Sequence, residues 1–257
     1  MDHASTLSSP PSRWLLWAES RAAHEFAATL AAWPLLRLAP KGDGHPVLVL
    51  PGLFASDAST RLLRAYLRER GYDTHGWGLG RNLGPRRGVA TAMLQRLDQL
   101  HERSGRRVSL VGWSLGGAYA RRLAAARPDA MRNTIMLGSP LEGNPRSSNA
   151  WRLYEATSGK LADDATELAA ARATVSSPMT SIYSRSDGVV AWTSSRLPSA
   201  PQVENIEVHG SHVGLGVNGA VLLAIADRLA QREGEWKPFA GRRTLMRPLY
   251  PDPDRDS

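Results

Sequence analysis

The stretch VSLVGWSLGGAYARRLAAA, Val108 to Ala126, most constrains the fold of this chain. Val108 to Trp113 reads as a short buried strand, and Leu115 to Ala126 reads as a helix. Nothing of loop length lies between them. Gly112, Gly116 and Gly117 crowd the junction, and Ser114 stands at its centre. A strand that passes directly into a helix needs a very sharp turn, and glycines let it close without side-chain clashes.

The same rhythm recurs on both sides. Strands are expected at "PVLVLPG", "YDTHGWGL", "VSLVGW", "NTIMLGS", "MTSIYSR" and "VENIEV". Between and after them, helical spacing is expected over Ser59 to Arg70, Val89 to Arg103, Leu115 to Ala126 and Val221 to Gln231. Alternation of this kind predicts an α/β fold, a mostly parallel sheet with helices on both faces. The interval 142–177 exceeds a simple crossover. It reads either as a crossover helix with a loop or as a small helical lid over the strand ends, with helical stretches near Ala150 to Thr157 and Ala162 to Thr174.

Arg13 to Leu38 reads as a helix broken near Pro34, carrying Trp14, Trp17 and Trp33. It is expected to pack on the body of the protein, with peripheral lipid contact as the competing reading. The expected organisation is an N-terminal helical extension over 1–45, a single α/β domain over 46–241 and a surface tail over 242–257. Met1 to Ser12 is polar and contains proline, and the apolar stretch after it is broken by Glu19, Arg21, His24 and Glu25. That pattern does not resemble a secretory leader, so a cytoplasmic location is the expectation.

The chain has no cysteine, which excludes disulfides, thiolate metal sites and cysteine nucleophiles. Its net charge of +8 comes from arginine, because Lys41, Lys160 and Lys237 are the only lysines. With no nucleic-acid motif and no long basic block, the charge is read as compositional rather than as a nucleic-acid footprint.

"GWSLG", Gly112 to Gly116, fits Gly-x-Ser-x-Gly between a strand and a helix. In a nucleophile elbow this arrangement lifts the hydroxyl above the sheet edge and aims the helix's positive end at it. Serine needs a base and a group that orients the base. Two loops after later strands offer them: "SRSDGVV" carries Asp187, and "HGSHVGLG" carries His209 and His212. His212 lies deeper in its loop and is the expected base. Asp187 is the expected acid, ahead of Glu142, Asp163 and Asp164. An oxyanion needs preorganised N–H donors, each worth about 3 kcal/mol. Leu115 follows the serine, and Leu53 sits in "LPGLFASD" after the first strand; these two are the candidates. Phe54 and Trp113 are the candidate substrate-binding side chains. Asn82 is expected to hold its own turn.

These residues resemble the α/β-hydrolase superfamily, and within it compact bacterial serine esterases and lipases, over roughly Pro46 to Arg232. Trp113 stands where histidine is common, and Pro51-Gly52 where His-Gly is common. The helical N-terminus implies that the first two strands of the full fold are missing, leaving about six. The resemblance implies a carboxylic ester hydrolase working through an acyl-enzyme on Ser114, acting on a small-molecule acyl ester without metal or organic cofactor. Acyl transfer from the same intermediate, or a non-catalytic ligand-binding module on the same fold, are the alternatives. The sequence leaves the oligomeric state open.

Overall fold

The computed structural model describes residues 9–143, 146–162, 169, 172, 174–241 and 246–254. The N-terminal segment is helical: α1 (Arg13–Trp17), a 3-10 turn (Ala18–Arg21), α2 (Ala22–Ala31) and α3 (Trp33–Leu36). It breaks earlier than Pro34 alone would require. Pro34 sits in the first turn of α3, where its missing N–H costs nothing.

The alternating part follows as β1 (Pro46–Leu50), α4 (Arg61–Glu69), β2 (Asp73–Gly76), α5 (Val89–Ser104), β3 (Val108–Trp113) and α6 (Leu115–Ala126). It continues with β4 (Met131–Leu137), α7 (Trp151–Ser158), β5 (Met179–Tyr183), α8 (Trp192–Ser195), β6 (Val203–Glu207) and α9 (Gly219–Leu229). The six strands form one sheet in the order β2-β1-β3-β4-β5-β6, and every pairing is parallel. All six fall where the sequence expects them. The stretch Ala162 to Thr174, expected to be helical, lies largely outside the described residues.

The strands are apolar because both faces of the sheet are covered. Successive side chains point to opposite faces. Val47 and Val49 of β1 join Leu63, Tyr66 and Leu67 of α4 and the apolar side of α9 in one core. Leu48 and Leu50 point the other way and meet α5 and α6 through Met93, Leu97 and Leu123. The N-terminal segment lies on the first of these faces, where it buries Leu36. Its Trp33 packs edge-on against Tyr66, with ring centroids 5.6 Å apart. Trp14 and Trp17 stay 80% and 78% exposed. No helix of the described residues is long and apolar enough to cross a membrane.

Candidate active site

Ser114 occupies the junction of β3 and α6 with φ 55° and ψ −123°. Such a conformation is strained for a residue with a side chain and persists only where the surroundings impose it. Here packing imposes it. A methyl group on Gly112 would stand 2.2 Å from the Gly116 carbonyl oxygen, and one on Gly116 would stand 2.3 Å from the Leu50 carbonyl oxygen. Helix and sheet are therefore closer at the turn than any side chain would allow. The Ser114 N–H donates to the Leu137 carbonyl at 2.8 Å, which anchors the turn to the end of β4.

The next residue on that strand, Gly138, links the serine to the other candidates. A methyl group there would lie 3.0 Å from Asp187 Oδ2 and 3.2 Å from His212 Nδ1. Asp187 follows β5 and His212 follows β6. Both are buried, 3% and 6% exposed. Their side chains meet at 2.7 Å, His212 Nδ1 to Asp187 Oδ2. Asp187 Oδ1 is occupied by the Val189 and Val190 N–H groups, each at 2.8 Å. A carboxylate only accepts, so the neutral ring carries its proton on Nδ1 and keeps a lone pair on Nε2. Among the described residues no hydrogen bond joins Ser114 Oγ to the ring.

Burial pushes the His212 pKa down. The charge and hydrogen bond of Asp187, together with the charge of Glu19, outweigh it and hold the pKa above the ordinary histidine value. His209, the competing histidine, points to solvent. Among the competing acids, Glu142 pairs with Arg121 at 2.8 Å, and Asp163 and Asp164 lie outside the described residues.

Leu53 and Leu115 line the same cavity as Ser114. Neither backbone N–H donates within the described protein. The Leu115 N–H belongs to the first turn of α6, which has no intrahelical acceptor. The Leu53 loop is brought onto Ser114 by Gly52, where a methyl group would lie 3.1 Å from Ser114 Cβ. Phe54 in this loop holds φ 61°. Its N–H donates to the Asn82 carbonyl at 2.7 Å. Asn82 is fully buried; its amide donates to the Pro51 carbonyl at 2.9 Å, and its Oδ1 accepts the Gly84 N–H at 3.1 Å. Asn82 thus holds its own turn, as expected, and clamps the Leu53 loop as well.

The cavity measures about 130 Å³ and is mostly apolar, walled by Ala118, Leu141 and Val190 with Trp151 and Tyr154 of α7. The interval 142–177 therefore contributes one wall of it. Phe54 and Trp113, the expected substrate-binding side chains, do not line it. The Trp113 ring is turned away, because the residue before the serine belongs to the strand and packs into the core.

A second Asp–His–Ser chain lies at the opposite end of the sheet. His45 Nδ1 meets Asp43 Oδ1 at 2.6 Å, and His45 Nε2 meets Ser109 Oγ at 2.8 Å. His45 and Ser109 are completely buried, and neither lines the cavity. Ser109 sits on ordinary strand backbone. With its histidine and serine shut off from solvent, this set of the same three residue types is a structural hydrogen-bond chain.

Sequence reasoning missed the N-terminal contribution. Glu19, Arg21 and Glu25 registered only as interruptions of an apolar stretch. In the structure they reach the loops of Asp187 and His212. The available signal was a set of charges inside an otherwise apolar helical run, since a buried charge demands partners.

No protein-family model and no curated protein matches this sequence. Solved structures do match by shape. A monoacylglycerol lipase of Paleococcus ferrophilus superimposes with a TM-score of 0.56 at 17% identity, over 75% of this chain and 96% of that one. The mature lipase BlEst2 of Bacillus licheniformis gives 0.55 at 15% identity, over 76% and 95%. A structure described with the metagenome-derived lipolytic enzymes LipS and LipT gives 0.53 at 18% identity, over 69% and 89%. At such identities the similarity is one of fold: the chain has the α/β-hydrolase fold in a six-stranded, all-parallel form.

Proposed function

We propose that the chain is a serine hydrolase that cleaves carboxylic esters through an acyl-enzyme on Ser114. The observation that carries this reading is the strained Ser114 turn, anchored to Leu137 next to the Gly138 corner where the buried Asp187–His212 pair meets, with Leu53 and Leu115, whose N–H groups donate to no described acceptor, lining the Ser114 cavity. The lipolytic character of the three structural neighbours agrees with it.

Ser114 Oγ attacks the ester carbonyl carbon while its proton passes to His212 Nε2. The carbonyl oxygen becomes an oxyanion and is held by the Leu53 and Leu115 N–H groups. The tetrahedral adduct collapses, the bond to the alkoxide oxygen breaks, and the proton on Nε2 goes to the leaving alcohol. Water then attacks the acyl-serine, with His212 taking its proton and returning it to Ser114 Oγ. Asp187 fixes the ring tautomer and stabilises the imidazolium throughout. The apolar cavity takes the acyl chain, and no step calls on a metal or organic cofactor. Residues 46–241 hold the serine, the acid and the base, with the described residues 9–45 as an extension packed on them.

The test is a p-nitrophenyl ester series from acetate to palmitate, with wild type beside Ser114→Ala. Hydrolysis by wild type alone is expected. If neither protein turns over any ester but a fluorophosphonate labels Ser114, the serine is activated and the substrate class is different. If there is neither turnover nor labelling, the hydrolase reading is overturned in favour of a binding module.

A further inference from the structure

The N-terminal helices carry a carboxylate into the backbone of both loops that bear the acid and the base. Glu19 Oε1 accepts the Gly188 N–H at 2.8 Å and the His212 N–H at 2.9 Å, and Oε2 accepts the Val213 N–H at 2.8 Å. Gly188 is the residue after Asp187, and His212 is the base itself. One buried side chain thus spans both loops. Its neighbours complete the fastening. Arg21 Nη2 donates to the Ser186 carbonyl at 2.7 Å and to the Gly210 carbonyl at 3.0 Å. Glu25 Oε1 accepts the Ser211 N–H at 2.8 Å and pairs with Arg21 at 3.3 Å.

Both loops are shaped to receive this segment. A methyl group on Gly188 would stand 2.3 Å from the Leu15 carbonyl oxygen, and one on Gly214 would stand 1.9 Å from Glu25 Oε2. The extension is inserted where the loops have no side chains.

We propose that Glu19 is a positioning residue for this site: it locks the Asp187 and His212 loops to one another and sets a second negative charge beside the imidazole. Its effect on turnover rests on the serine-hydrolase reading; its effect on the imidazole does not. The charged groups around His212 are Asp187 from the loop after β5, Glu19 from the 3-10 turn, and the Arg21–Glu25 pair reaching Gly210 and Ser211 from the turn and α2. His209 lies outside on the same loop. Trp113 closes the β3 side and is uncharged. Of these, Asp187 and Glu19 favour the imidazolium. Glu19 does not line the cavity, so substrate binding does not depend on it.

The experiment compares wild type with Glu19→Gln, Glu19→Asp and the control Glu69→Gln. Glu69 anchors the same segment through Trp33 and Arg37, far along the chain from both loops. Two readouts are taken: ester hydrolysis against pH, and the titration of the His212 ring protons by NMR, which needs no substrate. Glu19→Gln is expected to lower kcat roughly tenfold to a hundredfold with KM nearly unchanged, as a displaced catalytic group does. Its His212 titration is expected to move to lower pH, because one of the two negative charges that favour the imidazolium is gone. Glu19→Asp keeps the charge but cannot reach both loops; its kcat is expected to fall while the titration stays in place. Glu69→Gln should change neither. A folded Glu19→Gln with wild-type kcat and wild-type titration overturns the proposal. If Glu19→Gln does not fold, wild-type kcat in folded Glu19→Asp overturns it equally. Should wild type hydrolyse no ester at all, the ester-hydrolase reading fails by itself, and the His212 titration still decides the role of Glu19.

Discussion

The indole Nε1 of Trp113 donates to the backbone carbonyl of His212 at 3.1 Å. The residue just before the serine therefore holds the main chain of the residue proposed as its base. The rings approach to 6.4 Å at a tilt of 37°. This is how a side chain at that position serves the site without entering the cavity.

Trp113→Phe keeps the ring and removes the donor. A lost hydrogen bond of this kind is worth about 1 kcal/mol, so kcat is expected to fall roughly fivefold. KM should change little, because Trp113 does not line the cavity. Steady-state kinetics of the two proteins on one ester would decide it; a large rise in KM at constant kcat would restore Trp113 as a substrate contact.

As the proposed base, His212 must be neutral to accept the serine proton. With its pKa held above the ordinary 6.5, His212 is protonated over a wider range than a free histidine. kcat/KM should therefore decline as pH falls, with the midpoint of the acid limb above 6.5. A midpoint well below that value would show that burial outweighs the two carboxylates.

Asn82 offers a test of the Leu53 loop. Asn82→Ala removes the donor to Pro51 and the acceptor for Gly84. It leaves two buried backbone groups without partners, at a cost of about 1 to 3 kcal/mol each. Stability should drop accordingly. kcat should fall by about tenfold or more as the Leu53 N–H loses its aim. Denaturant melts beside kinetics separate the two effects; a destabilised variant with full kcat would detach Asn82 from the proposed role of the Leu53 loop.

His45 makes a prediction about stability rather than activity. Burial lowers its pKa from 6.5 to about 4, against the opposing hydrogen bond of Asp43. The unfolded chain therefore takes up the proton first. Stability is complete above 6.5 and is lost as pH falls toward 4, by up to about 3 kcal/mol. Urea unfolding at several pH values should show this slope, and His45→Gln should flatten it. An unchanged slope in a folded His45→Gln would assign the acid sensitivity to other groups.

The sheet and the order of the loops after its strands were legible because each rests on local pattern. Apolar runs of strand length, helical spacing between them and the glycines around Ser114 all act over a few residues. That Asp187 and His212 meet could be anticipated because strands place the loops that follow them at a common edge. Glu19 could not be found that way. Its partners lie 169 and 193 residues along the chain, and no periodicity encodes them. The direction of the Trp113 ring was not legible either: adjacency to a serine in sequence does not say toward which side of the turn an indole points. Asn82 lay between these cases, since its turn was readable and its bond to Pro51 was not.

The Asp43–His45–Ser109 chain has a consequence for how the sheet assembles. His45 enters β1, and Ser109 is the second residue of β3, where it pairs with Val47. Sliding β1 along β3 by one residue would carry the imidazole away from the Ser109 hydroxyl it meets and strand both in an apolar interior. The hydrophobic strands themselves offer little to forbid such a slip, since each is apolar on both faces. A single pair of polar atoms thus acts as an alignment key, penalising misthreaded versions of the sheet more than it strengthens the right one.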